Sequence, residues 1–104
     1  MLQLKEFENV EKAIFSLLKD ELELRLIMHN LSVKEIIPED MHQFNEWIIL
    51  PRGFGKCIIT VGDSSEVIEL SRENVIVVFV PIGTNHFLEA LSELSYLVIK
   101  DGFD

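Results

Sequence analysis

Two hydrophobic rhythms divide the chain. Over residues 5–19, Phe7, Val10, Ile14, Leu17 and Leu18 recur at spacings of three and four. Glu6, Glu8, Glu11, Lys12 and Lys19 sit largely on the other side. That period predicts an amphipathic helix over 5–19. Its apolar stripe suits packing against a sheet, with a partner protein as the alternative. From residue 22 the period becomes two. Leu22, Leu24, Leu26 and Met28 alternate with Glu23, Arg25 and Ile27, the pattern of a half-buried strand over 22–28. His29, beside Asn30 at the end of that strand, reads as a surface or turn residue. Residues 32–37 form another short strand that Pro38 stops, because proline cannot donate to a ladder.

The remainder is a succession of short strands cut by turn residues. Trp47–Leu50 is broken by Pro51-Arg52-Gly53-Phe54-Gly55. Lys56–Val61 turns through Gly62-Asp63-Ser64-Ser65 into Glu66–Leu70, and Ser71-Arg72-Glu73-Asn74 leads into Val75–Val80. Pro81-Ile82-Gly83-Thr84 breaks that strand, and His86–Leu91 and Leu94–Lys100 complete the set. Short strands at this spacing predict a sandwich or a barrel. Val75–Val80 is apolar on both faces, as in a strand covered on both sides. The second cover is either the N-terminal helix or another subunit, and a homodimer is expected.

Length and charge narrow the picture. The 104 residues make one domain, 1–104, with a helix at 5–19 and a β-barrel over 22–100. Eighteen acidic residues against nine basic ones give a net charge of −9. No basic stripe appears, so nucleic acid and anionic membrane surfaces are excluded as partners. Cys57 is the single cysteine, which excludes an intrachain disulfide and a thiolate cluster and fits a small buried apolar side chain. The opening MLQLKEFENVEK lacks the apolar core of a signal peptide, and no apolar run approaches the ~18 residues of a membrane span. A cytoplasmic location is expected.

Two stretches carry candidate chemistry. Asp40, His42 and Glu46 stand at even spacing. On one extended strand their side chains share a face. With a turn over residues 43–45, His42 closes one strand and Glu46 opens the next. Glu46 precedes Trp47-Ile48-Ile49-Leu50, and a carboxylate facing an apolar interior needs a partner because burying a lone charge is costly. A divalent cation is one such partner. If Glu46 points inward, Ile48 and Leu50 do so too, while Trp47 and Ile49 point outward. In the second stretch, Pro81 and Gly83 set a rigid stop and a tight turn, which place His86 at the mouth of a strand. His86, Leu88 and Ala90 then face inward, giving a mainly apolar pocket with few polar groups, the usual makeup of a small-molecule site. Tyr96 is assigned to packing, with a hydroxyl added to the pocket as the alternative.

Here the chain resembles the cupin superfamily, whose small β-barrel takes metal ligands from two motifs. The second motif, Gly-x5-Pro-x-Gly-x2-His-x3-Asn, is matched by Pro81, Gly83 and His86, with Val75 and Ala90 at its first and last positions. The first motif, Gly-x5-His-x-His-x3-4-Glu-x6-Gly, is matched by His42, Glu46 and Gly53, with Asp40 in place of the first histidine and Lys34 in place of the leading glycine. The resemblance spans residues 32–100. It implies a cupin-like double-stranded β-helix, or jelly roll, with an N-terminal helix added. It also implies metal ligands at His42, Glu46 and His86, with Asp40 as a fourth. Two imidazoles and a carboxylate suit iron, manganese, zinc or nickel, and Asp40 shifts preference toward the harder ions.

Three functions follow as expectations: a metal-dependent enzyme acting on a small molecule, a binding module for a small ligand or metal without catalysis, and an interaction protein assembled through its helix and exposed strands.

Overall fold

The computed structural model describes residues 2–18, 25–31, 36–40 and 43–101, with 25–31 and 36–40 described by backbone and strand pairing. The helix expected over 5–19 divides into two elements, strand β1 (Gln3–Phe7) and helix α1 (Val10–Leu18). Asn9 makes the break. Its Oδ1 accepts a hydrogen bond from the Lys12 backbone N–H at 2.8 Å, the geometry of a helix N-cap. Upstream of that cap, residues 3–7 pair with a core strand from Gln3↔Phe79 to Phe7↔Val75. The open edge of a sheet satisfies these backbone groups without a helix, and tertiary pairing overrides local period. Lys19 lies outside the described residues.

The next two strands also shift. β2 (Arg25–Leu31) runs three residues past the expected end at Met28. It pairs along its whole length with the last strand, from Arg25↔Lys100 to Leu31↔Leu94. His29 is therefore within a strand, opposite Tyr96, and not in a turn. Residues 22–24 of the expected strand lie outside the described residues. β3 (Ile36–Asp40) contains Pro38 instead of stopping at it. The strand lies at a sheet edge, and its register shifts between Ile37 and Asp40. An edge position with an irregular ladder tolerates a residue that has no N–H. Residues 32–35 of that expectation lie outside the described residues.

From residue 46 onward the turn residues act as read. β4 (Glu46–Leu50), β5 (Lys56–Val61), β6 (Ser64–Glu69), β7 (Val75–Val80), β8 (His86–Ala90) and β9 (Leu94–Lys100) follow in order. β6 begins two residues earlier than expected, because Gly62 at φ 59° lets Gly62-Asp63 alone reverse the chain and pair Val61 with Ser64.

Among the described residues the strands form two antiparallel sheets, ordered β1-β7-β4-β9-β2 and β3-β8-β5-β6. Apart from the β5–β6 hairpin, consecutive strands from β2 to β9 change sheet. This is the jelly-roll arrangement. Its apolar interior is built by alternate residues: Ile48 and Leu50, Cys57 and Ile59, Val78 and Val80, Leu88 and Ala90, Leu94, Tyr96 and Val98. Tyr96 is buried there, as its packing role required.

A second, smaller core lies on the outer face of the five-stranded sheet. Ala13 of α1 is fully buried against Ile49, Val75, Val77 and Ile99, with Val10, Ile14, Leu17 and Trp47 around them. The chain's own helix thus covers the outer side of β7, which explains why Val75–Val80 is apolar in both directions. The opposite side of α1 faces solvent, with Phe15 at 72% exposure.

The contrast between Ala13 and Phe15 tests this cover. Ala13→Asp places a charge in the buried seam and is expected to cost about 3 kcal/mol of unfolding free energy in denaturant titrations. Phe15→Asp on the same helix is expected to change it by less than ~0.5 kcal/mol. Equal effects of the two substitutions would remove α1 from the outer face.

Candidate functional site

Topology brings the site together. The start of β4, the end of β7 and the end of β9 lie side by side, with Glu46 opposite both Val80 and Lys100. In the other sheet the start of β8 lies beside the ends of β3 and β5, with His86 opposite Asp40 and Val61. Residues opposite one another in an antiparallel ladder share a face. Glu46 and Lys100 therefore form one inward row, and His86 belongs to the facing row.

The rows meet across the sandwich. His86 Nε2 is 3.0 Å from Glu46 Oε2, and Lys100 Nζ is 3.3 Å from Glu46 Oε1. Glu46 and His86 are buried, at 3% and 7% exposure. One carboxylate thus divides its two oxygens between an imidazole and an ammonium. An imidazole nitrogen this close to a carboxylate oxygen carries the proton and donates it. The Lys100 ammonium also stands over the ring of buried Phe44, 4.9 Å from its centroid, where the negative face of the ring attracts it. With a neutral imidazole, the carboxylate and ammonium cancel.

A clasp fixes the three chain segments that bear these groups. The Asn45 side-chain Nδ2 donates to Asp101 Oδ2, and the Asn45 backbone N–H donates to Asp101 Oδ1, both at 2.8 Å. Asn45 Oδ1 accepts from the Ile82 backbone N–H at 2.8 Å, and the Asp101 N–H donates to the Asn45 carbonyl at 3.2 Å. Asn45 and Asp101 flank Glu46 and Lys100, and Ile82 belongs to the turn before His86. That turn uses Gly83 at φ 71°, a left-handed conformation in which a Cβ is unfavourable.

The expected ligands fall into three groups. Glu46 and His86 meet. Asp40 takes the position opposite His86 in the β3–β8 ladder. His42 lies outside the described residues. Among the described residues, no three His, Cys, Asp or Glu side chains form a group able to hold a metal. Lys100 and Asn45 were missed in the sequence. The alternation Leu94, Tyr96, Val98, Lys100 carries a signal for the lysine, since it continues the inward face to the strand end. Asn45 gives no comparable signal.

Histidine nitrogen and carboxylate oxygen are ligand types for zinc, iron and manganese, but here Glu46 and His86 are bonded to each other and no third ligand joins them among the described residues. A ligating Nε2 must give up the proton it now donates. Lys100 is the feature that a cation would contend with.

Two other features stand apart. Cys57 is fully buried in the interior, and burial pushes its thiol up to about 11. A groove of about 630 Å³ lies on the outer face between β1, α1, Trp47 and Phe79, and its lining contains no His, Asp or Glu. Trp47 and Phe79 pack there with ring centroids 5.5 Å apart.

Two measurements check the geometry. Asn45→Ala loses both side-chain bonds of the clasp and is expected to destabilise the fold by about 2 kcal/mol, at roughly 1 kcal/mol per hydrogen bond. A loss below ~0.5 kcal/mol would show that the segments are held otherwise. Cys57 in the folded protein is expected to resist a thiol reagent at pH 8 and to react at once in denaturant. Prompt labelling of the folded chain would contradict its burial.

Comparison with known proteins bears on the fold. No family model matches the sequence, and no curated protein matches it. Solved structures do. A cupin superfamily protein from Desulfitobacterium hafniense matches with a TM-score of 0.62 at 13% identity, over 93% of this chain and 75% of that one. A predicted oxalate decarboxylase from Thermotoga maritima matches with a TM-score of 0.62 at 15% identity, over 96% of this chain and 81% of that one. A cupin domain from Schizosaccharomyces pombe matches with a TM-score of 0.62 at 15% identity, over 99% of this chain and 69% of that one.

Proposed function

From the cupin fold that these likenesses establish, we infer that this chain is a small metal-binding module that takes a small polar molecule at the Glu46–His86 end of its sandwich. The observation that carries the reading is the 3.0 Å approach of His86 Nε2 to Glu46 Oε2 inside the fold. These are residues from the two motif regions, forty positions apart in sequence, and they supply a nitrogen and an oxygen ligand. Asp40, opposite His86 in the ladder, and His42 complete the proposed ligand set. A bound divalent cation would supply a Lewis acid able to polarise an oxygen of the ligand. The chain's own residues do the rest. Ile48, Val80, Leu88 and Val98 form the apolar interior next to the site and keep bulk water from it. The Asn45–Asp101 clasp holds Glu46 and His86 in register.

A second reading, a small-ligand module that works without metal, is favoured by one observation. Lys100 Nζ already neutralises Glu46 from 3.3 Å, so the buried carboxylate has a cation in hand.

Elemental analysis separates the two. After exposure to iron, manganese, nickel or zinc and removal of free ions, the wild type is expected to retain about one metal ion per chain. His86→Ala and Glu46→Ala are expected to lose it, since removing one ligand of three or four weakens such a site severely. Wild-type protein that retains no more metal than these variants would overturn the metal reading and leave the metal-free module.

A further inference from the structure

Helix α1 covers only part of the outer face of the five-stranded sheet. Ala13 packs with Ile49, Val75 and Val77, toward the start of β7. The last turn of the helix, through Ser16 and Leu17, walls the groove of about 630 Å³, and the floor continues over Val77, Trp47 and Phe79. Strand register sets what else stands there. Trp47 and Gln3 both oppose Phe79, and Lys5 opposes Val77. Opposed residues share a face, so Gln3 and Lys5 rise beside the aromatic pair. Trp47 and Phe79 are each half-buried, with ring centroids 5.5 Å apart and planes inclined at 35°.

The polar groups in this lining are Gln3, Lys5 and Ser16, and each can donate a hydrogen bond. The single charge is positive, although the chain carries 18 acidic residues against 9 basic ones. Lys5 is exposed and takes part in none of the salt bridges among the described residues. We propose that this groove is a second ligand site, which takes a flat aromatic carboxylate. The ring lies against Trp47 and Phe79, and the carboxylate meets the Lys5 ammonium. The volume is that of a small-molecule site. Aromatic side chains favour an aromatic guest through offset and edge-to-face contacts. Lys5 is exposed, so its charge selects the sign of the ligand while burial of the ring supplies most of the affinity. The aromatic faces also attract a cation, but the lining holds no carboxylate to receive one. The groove lies on the opposite side of β4 from Glu46, and the inference is independent of what binds there.

Trp47 is the only tryptophan in the chain, so one ¹⁹F resonance reports the groove in full-length protein carrying 5-fluorotryptophan. The probes are 2-naphthoate, neutral 2-naphthamide, cationic 2-naphthylmethylamine and the aliphatic carboxylate laurate. 2-Naphthoate is expected to move the resonance saturably and to bind more tightly than the other three, by about fivefold over the amide, the most that an exposed charge pair usually contributes. Lys5→Gln is expected to bring naphthoate and amide to the same affinity. Ser16→Glu, an exposed position on the helix wall, is expected to weaken naphthoate by a similar factor and leave the amide unchanged. Both substitutions are at the surface and spare the core. An unmoved Trp47 resonance overturns the inference. So does binding of naphthoate that neither Lys5→Gln nor Ser16→Glu alters, which would place the ligand elsewhere. Tighter binding of the amine, the amide or laurate than of naphthoate overturns it as well, by assigning the groove to another class of ligand.

Discussion

A carboxylate buried between two apolar sheets has to be compensated, and much of this end of the molecule follows from that requirement. Glu46 is 3% exposed and sits in line with Ile48 and Leu50, which fill the interior. Left alone, its charge would cost several kcal/mol. His86 answers it from the opposite sheet and Lys100 from the neighbouring strand. One side chain therefore ties β4 to both β8 and β9. The contact resembles a staple across the sandwich at the end where β4 and β8 begin and β9 finishes. Any ligand chemistry at this end must take over part of that compensation, because each oxygen already has a partner.

The jelly-roll path makes such a contact possible. Most consecutive strands change sheet, so strand starts and ends collect at the two ends of the sandwich. Glu46 begins β4, His86 begins β8, and Lys100 ends β9. The intervening turns bring them together without any long loop. Asn45 and Asp101, immediately outside these strands, join through hydrogen bonds that also reach the Ile82 turn. Position and charge balance are thus set by adjacent residues. The outer face contributes separately: α1 covers β7 and β4 there, so the strands at the site are fixed from both sides.

The strands from residue 46 on were legible because turn residues and period agreed. Lys56–Val61, Val75–Val80 and Leu94–Lys100 have the bounds that the pattern implied. The N-terminal third was less legible. A period of three to four across 5–19 concealed a strand at Gln3–Phe7, since nothing local in those residues records the free edge of β7. Pro38 misled for a similar reason: its penalty depends on whether a neighbour strand needs its N–H, and edge position is a tertiary fact. At the site, Glu46 and His86 were visible as motif residues. Lys100 was not, although strand alternation places it inward, because a terminal lysine ordinarily turns toward water. Only the register opposite Glu46 shows what it does.

The account stands on the sharing of one carboxylate, and a double-mutant cycle between Glu46 and Lys100 measures it most directly. Lys100→Met leaves a buried charge without its ammonium, whereas Glu46→Gln combined with Lys100→Met removes both charges. Unfolding free energies of metal-free wild type, the two single variants and the double variant give the coupling. The account predicts a coupling of about 2 kcal/mol, with the double variant more stable than Lys100→Met. Additive effects, with a coupling below ~0.5 kcal/mol, would contradict it.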